Sequence, residues 1–381
     1  MKAISAIGIS GLVLLAVLAI GAGWFARSDG PAPAMPDAAA DRAAMVSAFL
    51  ADAPLPESAP PADAWVLSLP RDHGAHPDAP AETWTVTAAL RTEDDQRFDL
   101  FLTLLRADVA TDTGDAGATP WAFSTLWAGQ AVLIAEGGAR SGAGQRFGRV
   151  AGAAGHDAAE GEVWLEDWSM RYRLGEASDG LRLVAMAGDA RFDLSLSPEK
   201  PALAPDGDAV SAPRGFALPR LAVTGSVIGS DGPVAVTGTA WLDRSWGDLP
   251  LPGGPIAYDR LVLQMSNGSD LSLVRTRRVG RPGAETLDAV LVDPAGGVRV
   301  FEDAALTLEV QQDQTGLPAG DAAVTWRLLG EGFDLTASAE GGTMQDFLSP
   351  TWLGPVEVSG QIGVDPVGGT GLLLLTGGDG E

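Results

Sequence analysis

Apolar side chains fall at every second position through much of this chain, in short runs separated by turn residues. That period restricts the fold more than any other feature. Trp84, Val86, Ala88 and Leu90 alternate with Thr85, Thr87 and Ala89; Thr92–Asp95 supplies a turn; Phe98, Leu100, Leu102 and Leu104 alternate again. Successive side chains of a strand point to opposite faces, so a period of two predicts strands with one face in a core. Leu261, Leu263 and Met265 lead to Asn267-Gly268, and Leu271 and Leu273 leave it. Asn-Gly between alternating runs is the strongest short-range hairpin signal. Gly229-Ser-Asp-Gly232 and Ala187-Gly188-Asp189 mark further tight turns, and no segment after the N-terminus carries a long helical period. Each half offers about eight or nine strands, the number expected of an antiparallel barrel or sandwich.

The expected fold is therefore all-β, with two antiparallel barrel or sandwich domains. The break at Ser197–Pro205, continued through Asp206–Pro213, places the first domain at 63–212 and the second at 213–381. Gly161–Trp168 faintly echoes Gly238–Trp246 and suggests duplication. Before the barrels, residues 28–62 have the Pro/Ala-rich composition of a linker. Residues 1–27 contain an uncharged run, Ala3–Phe25, after Lys2. Such a run fits a cleaved signal peptide or a membrane anchor helix, and either exports the remainder. The expected location is the periplasm or the outer face of the inner membrane, with membrane contact through residues 3–25 if they are retained.

With 25 Lys+Arg against 50 Asp+Glu the formal charge is −25, which repels a phosphate backbone and argues against a nucleic-acid partner. The absence of cysteine removes disulfides, thiolate metal sites and Cys nucleophiles. His73, His76 and His156 are the only histidines, which limits general-base schemes. There is no Gly-x-Ser-x-Gly elbow, and Gly142–Gly148 lacks dinucleotide-binding spacing.

The stretch that invites a site is Thr237–Gly247, where Trp241 and Trp246 bracket Asp243 and Arg244. Wide apolar rings beside a charged pair suit an apolar ligand with one polar feature. The plainer reading, which residue type alone favours, puts the rings in a core and the charges on the surface as a pair.

Several motifs in order resemble one family. Pro70-Arg-Asp-His73-Gly-Ala-His76, followed by Glu82-Thr-Trp84, is similar to the opening of the secreted AttH-like proteins, lipocalin-like relatives of carotenoid 1,2-hydratase. Val163–Ser169 resembles their Trp-x-x-Asp-Trp-Ser segment, and Trp241–Trp246 their Trp-x-Asp-[His/Arg]-Glu-Trp motif. Tyr258-Asp259, Trp352 and Val356–Gly360 follow at suitable distances, so the resemblance covers roughly residues 65–378. It implies two lipocalin-like barrels in an exported protein linked to an ABC-type transport system, with a permease as partner. One branch of the family hydrates carotenoids. The chain departs from the pattern at Thr83, where a Trp is usual, at Arg244-Ser245, which replaces His-Glu, and at Tyr258-Asp259-Arg260, which replaces Trp-Asp-Trp.

Alkene hydration needs an acid strong enough to protonate carbon, and aromatic faces to shield the cation. Asp259 is the acid candidate, with Tyr258, Trp241 and Trp246 as shield. Arg244 would keep Asp243 ionised if the two pair, although strand neighbours face opposite ways. His73, His76 and Glu82 form a polar cluster expected to brace a loop; with Asp72 and Asp78 they also invite a metal reading, but the resemblance implies no metal and no cofactor. The leading expectation is a non-enzymatic binder of an apolar or amphipathic small molecule, lined by Trp84, Trp241, Asp243, Arg244, Trp246, Tyr258 and Asp259. The alternatives are a hydratase using Asp259 and a structural partner of a permease. The binding site so drawn requires Trp241 and Trp246 to share one environment.

Overall fold

The computed structural model describes residues 65–108, 125–136, 141–149, 152–173, 180–204, 214–247, 256–278, 285–311, 317–318, 322–347 and 349–376. The expected signal or anchor segment and the linker lie outside the described residues. A single turn of 3-10 helix, Arg71–His73, precedes the strands.

The strands are β1 (Ala81–Arg91), β2 (Arg97–Asp108), β3 (Thr125–Ala135), β4 (Gly142–Arg149), β5 (Ala154–Asp157), β6 (Glu162–Leu165), β7 (Trp168–Arg173), β8 (Gly180–Ala187), β9 (Ala190–Pro198), β10 (Arg214–Gly229) and β11 (Gly232–Gly247). They form one sheet in the order β4-β3-β2-β1-β11-β10-β9-β8-β7-β6-β5. The rest are β12 (Ile256–Met265), β13 (Asp270–Arg278), β14 (Glu285–Val292), β15 (Val298–Glu302), β16 (Leu306–Gln311), β17 (Val324–Gly330), β18 (Phe333–Ala339), β19 (Thr343–Phe347), β20 (Ser349–Ile362) and β21 (Asp365–Thr376). Their order is β15-β14-β13-β12-β21-β20-β18-β17-β16, with β19 on β20. All neighbours are antiparallel, and each sheet curls into a nearly closed barrel.

The β10–β11 hairpin, read from the sequence as the start of the second half, hydrogen-bonds into the first sheet between β1 and β9. The second sheet begins at Ile256. Both stretches of the supposed internal echo therefore lie in the same barrel, on β6–β7 and on β11.

Apolar alternation fills both interiors. Leu90, Phe98, Leu100 and Phe192 in barrel 1, and Leu261, Leu263, Leu271 and Trp352 in barrel 2, have no accessible surface. A hollow calyx would leave such side chains lining a void, so these stretches are packed solid, as small barrels commonly are.

The other face of β1 carries Thr83, Thr85 and Thr87, residues that alternation would send to solvent. They are buried, because barrel 2 covers them. Two apolar clusters join the barrels. One contains Phe101, Val132, Tyr258, Val274 and Leu374, and the other Ala217, Trp241, Val262 and Val290. Charged staples cross the same seam. Lys200 Nζ lies 2.6 Å and Arg220 Nη2 2.9 Å from the fully buried Asp270 carboxylate. The register of β10 shifts between Leu218 and Leu221, and this irregularity turns Arg220 toward the β12–β13 turn. Arg97 bonds Asp99 on its own barrel and Glu357 and the Val356 carbonyl on the other.

Candidate functional site

Strand geometry divides the Thr237–Gly247 stretch between two faces. Leu242, Arg244 and Trp246 point into barrel 1, whereas Trp241 packs in the seam and Asp243 bonds there. Trp241 and Trp246 thus occupy different environments, and the single aromatic site expected from the sequence does not form. A separation of five residues, an odd number, puts two strand side chains on opposite faces.

The interior face builds a compact charged cluster at one end of barrel 1. Glu82, first in from the start of β1, contacts the guanidinium of Arg244 on β11 and lies 2.9 Å from Arg106 on β2. Glu82 and Arg244 are both inaccessible to solvent. The Arg244 guanidinium sits 3.9 Å above the Trp84 ring and 5.0 Å from that of Trp246, between two indoles. His76 stacks on Trp246 at 4.0 Å, and its Nδ1 lies 3.2 Å from Glu82 and 3.0 Å from Arg244. Trp65 meets the edge of Trp246 at 5.0 Å. The segment 65–80 is thereby laid across the barrel end. Arg244 donates to the Gly74 carbonyl, Arg106 to that of Ala79, and Trp84 Nε1 to that of His73. The bracing expected of His76 and Glu82 is present, with the guanidiniums as hubs.

The electrostatics are settled by these contacts. Burial works to raise the Glu82 carboxyl, but Arg244, His76 and Arg106 outweigh it and hold it at about 2. Burial likewise opposes ionisation of Asp72, and bonds from His76, Arg71 and the Ser68 backbone overcome it and hold the carboxyl well below the usual range. His73 is fully buried, and burial with the nearby charge of Arg244 lowers it to about 3, so it is neutral at physiological pH. Among the described residues, neither ring nitrogen of His73 has a hydrogen-bond partner. No metal-binding group of carboxylates and histidines exists among the described residues.

In the seam, Asp243 accepts from Trp241 Nε1 at 2.8 Å and pairs with Arg260 of β12, not with its sequence neighbour Arg244. Burial pushes the Asp243 carboxyl up, against the pull of Arg260 and Trp241. Tyr258 is buried in the same seam, and burial raises its hydroxyl to about 12. Asp259 points the other way, into barrel 2, where Arg277 clasps it at 3.0 and 3.2 Å and Arg275 lies 3.8 Å away. Burial raises its carboxyl despite both arginines. Its expected shield is therefore elsewhere: Tyr258 and Trp241 are in the seam and Trp246 is in barrel 1. Sequence reasoning missed Arg106, Arg260, Arg275 and Arg277, each of which neutralises one of these acids. For Arg106, Arg275 and Arg277 the available signal was an arginine at the same parity on the hairpin strand next to the acid; Arg260 reaches Asp243 from the other sheet, and no sequence signal pointed to it.

Two nearly closed antiparallel barrels of this kind are lipocalin-like. The profile of the AttH-like family matches residues 60–378, and the chain belongs to that family. A crystal structure of a candidate AttH from Nitrosomonas europaea is similar at 22% identity with a TM-score of 0.68, covering 84% of this chain and 99% of that one. Kievitone hydratase from Nectria haematococca is similar at 16% identity with a TM-score of 0.57, covering 83% and 94%. A search of curated proteins returns no match. Likeness at these identities extends to the fold.

Proposed function

We propose that the protein binds an apolar or amphipathic small molecule at the mouth of barrel 1, against Trp65, His76 and Trp246, without transforming it. The observation that carries this reading is the state of the acids. Glu82 and Asp72 are held as anions. Asp243 and Asp259 are each bonded to a guanidinium and lie away from the indole cluster. Protonating an alkene carbon needs a neutral carboxylic acid facing the substrate beside cation-stabilising rings, and these four do not supply it. The filled barrel interiors favour a ligand lying across the mouth, where the half-buried His76 offers a polar edge on an aromatic floor. Export through residues 3–25 and partnership with an ABC-type permease belong to the same proposal, supported by the sequence and the family resemblance.

Titration with geranylgeraniol, followed by indole fluorescence, tests it: saturable quenching that Trp246→Ala abolishes is expected. Saturable quenching that survives intact in Trp246→Ala rejects the mouth as the site.

One observation favours a second reading, a hydratase: the Asp259 carboxyl, raised by burial, sits at the partly open end of barrel 2. Similarity in fold to kievitone hydratase is compatible with it. Incubation with acyclic isoprenoids and mass analysis for one added water separates the two. Product formed by the wild type and lost in Asp259→Asn would establish hydration; no product in either supports binding alone.

A further inference from the structure

The arginines at the end of barrel 2 stand out against the charge of the chain. In a protein with 50 acidic and 25 basic residues, Arg275, Arg277 and Arg278 fall within four positions at the end of β13. Two of them face the barrel interior. Register places Leu287, Arg275, Asp259, Leu375 and Trp352 side by side on one rung, with Arg277 one step nearer the rim. Leu287, Leu375 and Trp352 belong to the barrel 2 core.

These arginines are held differently from those of barrel 1. The side chains of Arg275 and Arg277 are 21% and 24% exposed, against 7% for Arg106 and 0% for Arg244. Arg277 forms a fork on Asp259, which fixes its direction. Arg275 lies 3.8 Å from Asp259, and its close partner is Glu285, at 2.7 and 2.9 Å, a side chain 43% exposed. An exposed ion pair of that kind contributes little and exchanges readily with another anion. Planar guanidiniums suit a carboxylate bidentately.

We propose that this end of barrel 2 is a second ligand site, selective for the carboxylate of an alkyl-chain acid. The carboxylate displaces Glu285 from Arg275 and lies beside Arg277, and the chain lies over Leu287 and Leu375. The site is independent of the barrel 1 mouth.

Calorimetric titration with dodecanoate, dodecan-1-ol and dodecyltrimethylammonium tests it. Dodecanoate is expected to bind about tenfold more tightly than the alcohol, as a charge-assisted bond replaces a neutral one, and the cation not at all. Arg277→Gln should erase the preference. Glu285→Gln changes an exposed side chain, leaves the fold intact and should tighten dodecanoate binding by freeing Arg275. Trp246→Ala separates the two sites: a preference for the carboxylate that persists in it belongs to barrel 2. No dodecanoate binding, equal binding of acid and alcohol, weaker or unchanged binding in Glu285→Gln, or a preference lost only in Trp246→Ala would each overturn the assignment.

Discussion

The two barrels put the same pair on the same rung and bring it to opposite electrostatic ends. In barrel 1 the rung reads Trp127, Arg106, Glu82, Trp246, Arg214; in barrel 2 it reads Leu287, Arg275, Asp259, Leu375, Trp352. Each acid faces an arginine across the first hairpin of its sheet. One step deeper, barrel 1 has Leu104, Trp84 and Arg244, where barrel 2 has Leu273, Leu261 and Leu373. Barrel 1 therefore buries a second guanidinium under its acid and lays residues 65–80 over the top. Its carboxyl falls to about 2, while that of Asp259 rises through burial. The partners buried with an acid set its state more than the acid–arginine pair itself.

The largest effect that follows concerns stability. Glu82→Gln leaves the Arg244 charge without its counter-ion in a site sealed from water, and loss of one partner of a buried pair costs about 3–5 kcal/mol. Asp259→Asn should cost less, about 1 kcal/mol, because Arg277 and Arg275 can turn toward water and toward Glu285. Urea unfolding of the two variants measures the difference. Equal losses would mean that the barrels bury their acids alike, contrary to the contrast drawn here.

A pH series tests the same contrast. Glu82 drops from an ordinary 4.5 to about 2, so its contribution is complete above pH 4.5 and is lost as pH falls toward 2. His73 drops from 6.5 to about 3. Its unfolded form takes up a proton below pH 6.5 and its folded form does not until about 3, so it too costs stability as pH falls through that window. Each group contributes a slope of at most about 1.4 kcal/mol per pH unit. Glu82→Gln should flatten the acid limb between pH 4.5 and 2, and His73→Phe the limb between 6.5 and 3. Asp259→Asn should do neither, since a raised carboxyl loses stability as pH rises rather than falls. An acid limb unchanged in Glu82→Gln would place the depressed acid elsewhere.

Much of this was legible in the sequence. Period-two alternation gave nearly every strand, and Asn267-Gly268 its hairpin, because one face of each strand meets a core. The end of the first sheet was not legible. A Pro-containing break precedes Arg214 in the sequence, but a hairpin joins whichever sheet edge offers hydrogen bonds, and β10–β11 closes on β1 and β9. Alternation also misled at Thr83, Thr85 and Thr87, where polar character meant the seam and not solvent. Motif reading put Trp84, Arg244 and Trp246 in one site, yet joined to them Trp241 and Asp243, which parity sends to the other face, and set Glu82 apart in a polar cluster with His73 and His76. Arg277 stands on the hairpin strand beside Asp259, whereas Arg260 meets Asp243 only across the seam between two sheets, a contact that no local pattern announces.

A pair of ring substitutions is the sharpest probe of that parity. Trp241→Phe keeps a ring in the seam, removes the indole N–H that Asp243 accepts at 2.8 Å and leaves a small void where the five-membered ring was. The cost is a hydrogen bond to a buried carboxylate, about 1.5–3 kcal/mol, together with that void. Because the ring faces barrel 2, ligand binding at the barrel 1 mouth should be unchanged. Trp246→Phe keeps a ring against His76, Trp65 and Arg244 but shrinks the stack, at about 0.5–1.5 kcal/mol. Its effect on geranylgeraniol affinity should exceed its effect on stability if, as proposed, the ligand rests on that face. Two tryptophans five residues apart on one strand would then respond to different measurements, one to denaturant alone and the other mainly to ligand. If Trp241→Phe weakened the ligand as much as Trp246→Phe did, the mouth and the seam would have to act as one site, and the separation of the two faces would lose its functional meaning.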